Sequence, residues 1–333
     1  MPPVKPFNDL SKQSQVATLR PFAQKFANEF GLEPTSIRLA NHGYNTTFRI
    51  ESTRGTFAVR ININSPRTLE NIRGEIAWTS QLAENPKISA AIPYCSPSGE
   101  YILASDLPRF DRPLYAVCYH WLPGTPYPTR PSLKLVKSYA ETLHLLHENP
   151  PQLPQNAELP TINDVILGQT LNFSDFGYEN YTLLFEKILD KANFIYHKLQ
   201  FSQTSQIIHY DLHMGNMKRS GEQIHILDFD DCCYAPPLFD ISTAFFYFRS
   251  QPGWRKRETQ FWKFFPYSPP DFGVSWQDWE YLIASRRLLL ANEILTIANP
   301  EIRALTPKYT EATAEQFQRL EQSGSYSRLD APD

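Results

Sequence analysis

The segment 207–231 constrains the fold of this chain more than any other part of its sequence. It contains His209, Asp211 and Asn216 in the order H-x-D-x-x-x-x-N, and Asp228 follows at the end of an apolar run. The residues between Asn216 and Asp228 are typical of two short strands joined by a polar turn. Because a hairpin brings its open ends together, we expect Asn216 and Asp228 to lie close to each other, with Asp211 in the loop before them. The predicted strands are residues 217–218 and 223–227, and the predicted turn is residues 219–222.

These polar side chains are the ones that phosphoryl transfer to a hydroxyl group requires. One carboxylate must orient the hydroxyl, while an amide and a second carboxylate hold Mg²⁺ on the phosphates. We therefore predict that Asp211 is the catalytic carboxylate and that Asn216 and Asp228 bind the metal. An ordinary aspartate has a pKa of about 3.9 and is ionised at neutral pH without special tuning. Asp230 and Asp231 could add metal ligands, although a solvated loop is expected for at least one of them.

A zinc site is the alternative interpretation of the same segment. His209, Asp211 and His213 alternate, so on a strand they would share one face and could bind Zn²⁺ as in a metallohydrolase. That interpretation leaves Asn216 and the predicted hairpin unexplained. For His209 itself we expect a structural histidine that bonds to the backbone.

The front half has the pattern of one helix followed by short antiparallel strands. Apolar residues from Val16 to Phe30 recur at spacings of three and four, and Gly31 follows as a helix stop. Phosphates could sit over the tight turn at 41–46, between the first two strands. The predicted helix is residues 12–30, and the predicted strands are residues 36–40, 47–51 and 56–63.

The rest of the chain is predicted to be mainly helical. Ser65 and Pro66 favour the start of a helix that carries Glu75 beside its apolar stripe. A strand is predicted over 113–121, and a proline-rich connector over 150–160. The other predicted helices are residues 132–148, 181–199, 237–248, 276–297 and 311–320.

The sequence resembles the kinase-like phosphotransferases, which include aminoglycoside phosphotransferases, choline kinases and type II homoserine kinases. Their H-x-D-x-H-x-x-N loop is matched at His209, Asp211, His213 and Asn216, and their metal-binding aspartate at Asp228. The resemblance covers roughly residues 36 to 300. Two positions without a chemical role depart from the family pattern, Tyr210 in place of a frequent Gly and Met214 in place of a common Pro.

The resemblance implies an α+β, two-lobed, protein-kinase-like fold that uses ATP and Mg²⁺. A small N-lobe with an antiparallel sheet would span 36–124 and end in the hinge between the lobes. A mainly helical C-lobe with the catalytic loop and the acceptor site would span 125–333. Residues 1–35 are expected to form an N-terminal helical extension, which the resemblance does not cover.

The resemblance also implies the residues that contact the nucleotide. Ala58 would leave space for adenine, and Arg60 would contact the phosphates in place of the usual lysine. Glu75 would form an ion pair with Arg60, and Glu70 is the second candidate for that role. Taken alone, an arginine on a strand face is usually solvated. Three further positions follow from the family pattern: Asn45 in the phosphate loop, and the backbone near Trp121 and Leu122 at the hinge. Asp240 would be structural and bond to backbone N–H groups behind the catalytic loop.

Composition fits an ordinary globular enzyme. The chain has 333 residues, 41% of them hydrophobic and 20% charged, and a net charge of −3 gives no electrostatic reason to expect nucleic acid or an anionic membrane as partner. The start lacks the apolar core of a signal peptide, and no apolar run is long enough for a transmembrane helix. The four cysteines, at 95, 118, 232 and 233, form no zinc spacing. The adjacent pair Cys232 and Cys233 is a poor candidate for a structural disulfide, so a reduced, cytoplasmic protein is expected. The oligomeric state is not predicted.

We therefore expect a small-molecule kinase, with three alternatives left open. These are a protein Ser/Thr kinase, a non-catalytic nucleotide-binding module and a zinc-dependent hydrolase. The first 124 residues contain 13 Lys and Arg against 10 Asp and Glu, a net of +3, and the rest contain 19 against 25, a net of −6. An acidic acceptor lobe suits an amine-bearing alcohol such as an amino alcohol, a hydroxy amino acid or an aminoglycoside. If the four acids in or beside the predicted metal site are left out, the net charge of residues 125–333 is only −2. The charge therefore indicates an amine-bearing acceptor only weakly.

Overall fold

The structure is a computed structural model that describes residues 5–63, 67–107, 109–164, 168–202 and 205–329. An antiparallel sheet dominates the N-terminal region and helices dominate the C-terminal region, which confirms the predicted α+β class. Across the described ranges, no helix is both long enough and apolar enough to cross a membrane.

The N-terminal region is a five-stranded sheet between two helices. The strands run in the order β1-β2-β3-β6-β5, and neighbours are antiparallel. The helices of this region are α1 (Lys12–Glu29) and α2 (Leu69–Ala83). Its sheet strands are β1 (Pro34–His42), β2 (Thr46–Ser52), β3 (Gly55–Ile61), β5 (Ile102–Ser105) and β6 (Leu114–His120); two short strands, β4 (Ser89–Ala90) and β7 (Thr125–Pro126), lie outside it.

Strict alternation along β3 decides which side chains enter the core. Phe57, Val59 and Ile61 are buried in the cluster that α1 covers, so the predicted N-terminal helix packs directly on the sheet. Ala58 and Arg60 project from the other face, towards α2. The helix α2 begins at Leu69 after a capping box of Thr68 and Asn71. The predicted helix start at Ser65 and Pro66 lies outside the described residues.

The C-terminal region packs helices around a core rich in aromatic rings. The helix α6 was not predicted, because the charged run at its centre hides the apolar contacts of Trp254 and Phe261. The helices are α3 (Leu133–His147), α4 (Thr182–Ser202), α5 (Leu238–Phe248), α6 (Trp254–Trp262), α7 (Trp276–Glu293), α8 (Pro300–Arg303) and α9 (Thr306–Ser323). The strands are β8 (Gln206–Ile208), β9 (Met217–Ser220), β10 (Gln223–Ile226) and β11 (Cys233–Ala235).

The predicted hairpin forms, and it lies against the segment that connects the two regions. Its turn is tighter than expected, with Gly221 in the left-handed region at φ 64° between β9 and β10. On one side β10 pairs with β4, and on the other β9 pairs with β7. The chain therefore passes from the sheet to the helices across the back of this hairpin.

Gly124 allows this close passage, and replacing it should be costly. Its φ is 90°, and a Cβ there would lie 2.5 Å from the carbonyl oxygen of Arg219. We expect Gly124→Ala to lower the free energy of unfolding by about 3 kcal/mol, since left-handed strain adds to a clash with backbone. The control is Gly177→Ala, where φ is 81° but nothing lies within 4 Å of a Cβ; it should lose only about 1 kcal/mol. Urea unfolding measures the free energy of unfolding of both variants, and an equal loss in the two would contradict this explanation.

Candidate active site

The catalytic loop is held from behind by one buried carboxylate. Asp240, near the start of α5, accepts hydrogen bonds from the backbone N–H of His209 at 3.1 Å and of Tyr210 at 2.7 Å. His147 of α3 donates to the same carboxylate at 3.0 Å. Tyr210 has a φ of 62°, a conformation that a non-glycine residue adopts only where its surroundings enforce it. The expected structural role of Asp240 is thus confirmed.

His209 is a structural histidine, as predicted. Its Nδ1 accepts from the backbone N–H of Asp211 at 3.3 Å, so its Nε2 carries the proton and donates to the carbonyl of Leu227 at 2.9 Å. With both nitrogens engaged, the ring is not available to bind Zn²⁺. Within the described ranges, no group of three or more His, Cys, Asp or Glu is arranged to hold a metal ion.

Asp211 lies at the centre of the site, and both of its carboxylate oxygens are engaged. Oδ2 accepts from Nδ2 of Asn216 at 2.8 Å, and Oδ1 accepts from the guanidinium of Arg286. His213 lies 3.5 Å from Oδ2 and stacks on the ring of Tyr247. Burial raises the pKa of Asp211, but the positive charge of Arg286 and the contact with His213 outweigh burial and lower the pKa to about 2. The carboxylate is therefore ionised and fixed in one orientation.

The hairpin brings Asp228 to the same place. The backbone N–H of Leu227 donates to the carbonyl of Asn216 at 2.9 Å, which closes the open end of the hairpin. Among the described residues Asn216 donates through its Nδ2 only to Asp211, so its Oδ1 could bind a cation. The pKa of Asp228 is raised to about 7 by desolvation in the cleft and by the nearby Asp230 and Asp211, although Arg60 lowers it. A hard cation would relieve this concentration of negative charge, so the oxygen donors of Asn216 and Asp228 fit Mg²⁺.

Arg60 and Glu75 form a buried, bidentate ion pair. Their nitrogen–oxygen distances are 2.8 and 2.6 Å, and Tyr119 of β6 donates to the same carboxylate at 2.7 Å. Arg60 also lies 3.5 Å from Asp228. The reserve candidate, Glu70, is exposed and faces Arg73 instead. Arg60 is only 5% exposed, so it does not lie on a solvated strand face.

The structure corrects the expectation for Asp230 and Asp231, since neither carboxylate is freely solvated. Asp230 is buried and accepts from the amides of Asn45 at 2.9 Å and Asn62 at 3.3 Å, so it joins the two regions of the chain. Asp231 lies 3.5 Å from Arg67 and 3.6 Å from Arg286.

Two cavities share the carboxylates of Asp211 and Asp228 in their walls. The larger one, about 600 Å³, is lined by eight of the nine predicted site residues: Ala58, Arg60, Glu75, Trp121, Leu122, Asp211, Asn216 and Asp228. The smaller one, about 190 Å³, is lined by the loop before β2, the segment after β10 and one face of α7. Asn45 is the exception among the predictions, because it lines only the smaller cavity. Arg60, Asp211 and Asp228 line both cavities.

The hinge side of the larger cavity holds a lysine that sequence reasoning missed. Lys218 donates to the carbonyl of Leu122 at 2.8 Å, and its ammonium lies 4.1 Å from the ring centroid of Trp121. The backbone N–H of Trp121 donates to Thr56 at 3.0 Å. These two backbone groups, expected to meet adenine, are therefore already bonded within the protein.

The acceptor side of the smaller cavity was also missed. Arg286, Leu290 and Glu293 lie at helical spacing on α7 and all line this cavity. The pKa of Glu293 is raised to about 8, because of burial and the neighbouring Asp231. The available signal was an arginine pair within the mainly apolar stretch 282–291 of α7, where charges must have partners.

Comparison with known proteins agrees with this geometry. Residues 36–272 match the sequence pattern of the phosphotransferase enzyme family. No curated protein sequence matches the chain significantly.

Several solved structures share the fold. An amicoumacin kinase, in complex with AMP-PNP, Ca²⁺ and Ami, has a TM-score of 0.72 at 17% identity and covers 93% of this chain and 100% of its own. A microcompartment-associated aminopropanol kinase has a TM-score of 0.75 at 19% identity, with the same two coverages. An ethanolamine kinase from Plasmodium vivax has a TM-score of 0.59 at 11% identity and covers 84% of this chain and 82% of its own. These similarities confirm the protein-kinase-like fold.

Removing the buried carboxylate behind the catalytic loop should destabilise the protein. In Asp240→Ala, two backbone N–H groups and His147 lose their acceptor in the core, so we expect the free energy of unfolding to fall by about 3 kcal/mol or more. Asp190→Ala is the control, because Asp190 is exposed on α4. Urea unfolding monitored by circular dichroism measures both variants. A loss of less than 1 kcal/mol for Asp240→Ala would mean that the loop holds its shape without this carboxylate.

Proposed function

Because the chain belongs to the phosphotransferase enzyme family, and is thus a kinase of small molecules, we propose that it transfers a phosphoryl group from Mg²⁺-bound ATP to a hydroxyl group of an amine-bearing acceptor. One observation carries this proposal: Asp211 and Asp228 line both cavities. A donor in the larger cavity and an acceptor in the smaller one would react across these two carboxylates.

ATP is assigned to the larger cavity. Ala58 leaves room for the base, and Arg60 presents a guanidinium that Glu75 holds in one orientation. A guanidinium is always charged and attracts phosphate oxygens. The amicoumacin kinase structure contains AMP-PNP and Ca²⁺, so a nucleotide with a divalent cation fits this fold.

Mg²⁺ is assigned to Asn216 and Asp228. Carboxylate and amide oxygens are the ligands that this cation prefers, and it usually completes its shell with water and phosphate oxygens. The ion would offset the charge that develops on the phosphates during transfer.

Asp211 is assigned to the acceptor hydroxyl. The contacts with Asn216 and Arg286 fix its carboxylate, which would align the hydroxyl and accept its proton late in a loose transition state. The smaller cavity is lined by five carboxylates and two arginines, which supports an acceptor with a positive charge.

The geometry gives less support to a protein kinase. Only eleven residues separate Asp228 from Asp240, and three of them form β11, which pairs with β8. No long regulated loop fits in this interval. The cytoplasm is the proposed location, since all four cysteines are free thiols.

Loss of the catalytic carboxylate should stop turnover without preventing ATP binding. We expect Asp211→Asn to lower kcat by about 10²–10⁴-fold, the usual range for loss of a general base, and to leave the fold intact. ADP release across a panel of amino alcohols, amino acids, aminoglycosides and sugars measures turnover, and Asp175→Asn, at an exposed position, is the control. If Asp211→Asn turned over at the parent rate, the assignment of this residue would be wrong.

Loss of a metal ligand should weaken nucleotide binding only when Mg²⁺ is present. We expect Asp228→Ala to bind Mg²⁺-ATP about tenfold or more weakly, because an oxygen ligand to a hard cation is lost. Isothermal titration with and without Mg²⁺ separates metal-dependent binding from contacts with the base. Activity that resists a magnesium chelator and rises with Zn²⁺ would favour a hydrolase instead.

A further inference from the structure

The far end of the smaller cavity contains a carboxylate without a protein partner. Glu293 is the last residue of α7, and within the described residues its side chain accepts no hydrogen bond and forms no ion pair. A negative charge at the C-terminal end of a helix is also disfavoured by the helix dipole. This placement costs stability, and a bound cation would recover that cost.

A second orphaned acceptor lines the same cavity. Asn45 is 92% buried, and its Nδ2 donates to Asp230 at 2.9 Å, which fixes the orientation of the amide. Its Oδ1 has no donor among the described residues. A buried amide oxygen without a donor is unfavourable, so the loop before β2 holds an unused acceptor in the wall of the cavity. Asn45 and Glu293 belong to opposite walls and supply independent observations of the same need.

The remaining lining suits a positively charged group. Tyr44 and Tyr247 line the cavity, and aromatic rings attract cations. The two arginines of the lining form their ion pairs with other carboxylates, Arg60 with Glu75 and Arg286 with Asp211, and neither forms one with Glu293.

The helix sets the distance between this end and the site of transfer. Arg286 contacts Asp211, and Glu293 lies seven residues further along the same face of α7. Seven residues of helix span about 10 Å. The orphaned carboxylate is therefore at the opposite end of the cavity from the catalytic one.

We propose that Glu293 and the Oδ1 of Asn45 bind the ammonium group of the acceptor, whose hydroxyl then lies at Asp211. The acceptor is accordingly a compact alcohol with a protonated amine several bonds from the reacting hydroxyl. This inference rests on the proposed function. It assigns the loop before β2, expected to hold phosphates, to recognition of the acceptor.

The experiment compares amine and hydroxyl members of matched pairs: ethanolamine with ethylene glycol, aminopropanol with propanediol, and aminobutanol with butanediol. Each compound is assayed by ADP release and by the shift that it causes in the melting temperature. The variants are Glu293→Gln, which is isosteric and neutral, Glu293→Asp, which keeps the charge, and Glu301→Gln, a surface control that removes an exposed ion pair with Lys12.

We expect the parent enzyme to favour the amine member of at least one pair about tenfold or more in kcat/KM, the value of one charged hydrogen bond. Glu293→Gln should remove most of that preference and leave the KM for ATP unchanged. Glu293→Asp should retain part of it, and Glu301→Gln should behave like the parent.

Two results would overturn the inference. One is an equal loss of kcat/KM for the amine and the hydroxyl members of a pair in Glu293→Gln, which would indicate a structural role for Glu293. The other is an absence of both amine preference and amine-induced stabilisation in the parent enzyme. If amines stabilise the parent but not Glu293→Gln, and no compound releases ADP, the ammonium site stands and the proposed kinase function fails.

Discussion

The buried guanidinium of Arg60 is the interaction on which the rest of the site depends. A buried charge is tolerated only where carboxylates surround it, and its removal from water costs several kcal/mol unless its hydrogen bonds are satisfied. Its partners come from three separate parts of the chain: Glu75 on α2, and Asp228 and Asp230 after β10. One side chain of the sheet thus sets the distance between the N-terminal region and the proposed metal site.

The same cluster engages the carboxylate of Asp230 within the protein. Its two carboxylate oxygens are occupied by the amides of Asn45 and Asn62 and by Arg60. Because Asn45 precedes β2 and Asn62 follows β3, both ends of this part of the sheet are attached to the segment after β10. A carboxylate at 228 with fewer protein donors is left to bind a cation, although the two aspartates are only two residues apart.

The acceptor side depends on a different helix. Arg286 places a cation against Asp211, and Glu293 places a carboxyl group at the far end of the same cavity. If Glu293 binds an ammonium group as proposed, one helix face would present opposite charges to the two ends of the acceptor. The specificity of such a site is a matter of which ligand groups satisfy these charges, rather than of the catalytic loop itself.

Local patterns in the sequence by themselves determined much of the fold and the inner part of the site. Alternation decided which face of β3 enters the core, and the segment 207–231 predicted the loop, the hairpin and the closeness of Asn216 to Asp228, because these depend on neighbours along the chain. The pairing of Arg60 with Glu75 needed the family resemblance in addition.

Only the tertiary structure decided the contacts between distant segments. Arg286 lies 75 residues from Asp211 in the chain, and no periodicity or spacing encodes such a pair. The tertiary structure also turned Asn45 towards Asp230 rather than into the larger cavity, and it buried an aspartate expected in solvent. In each case a buried polar group had to find its partner, and the packing of whole elements settled which partner was within reach.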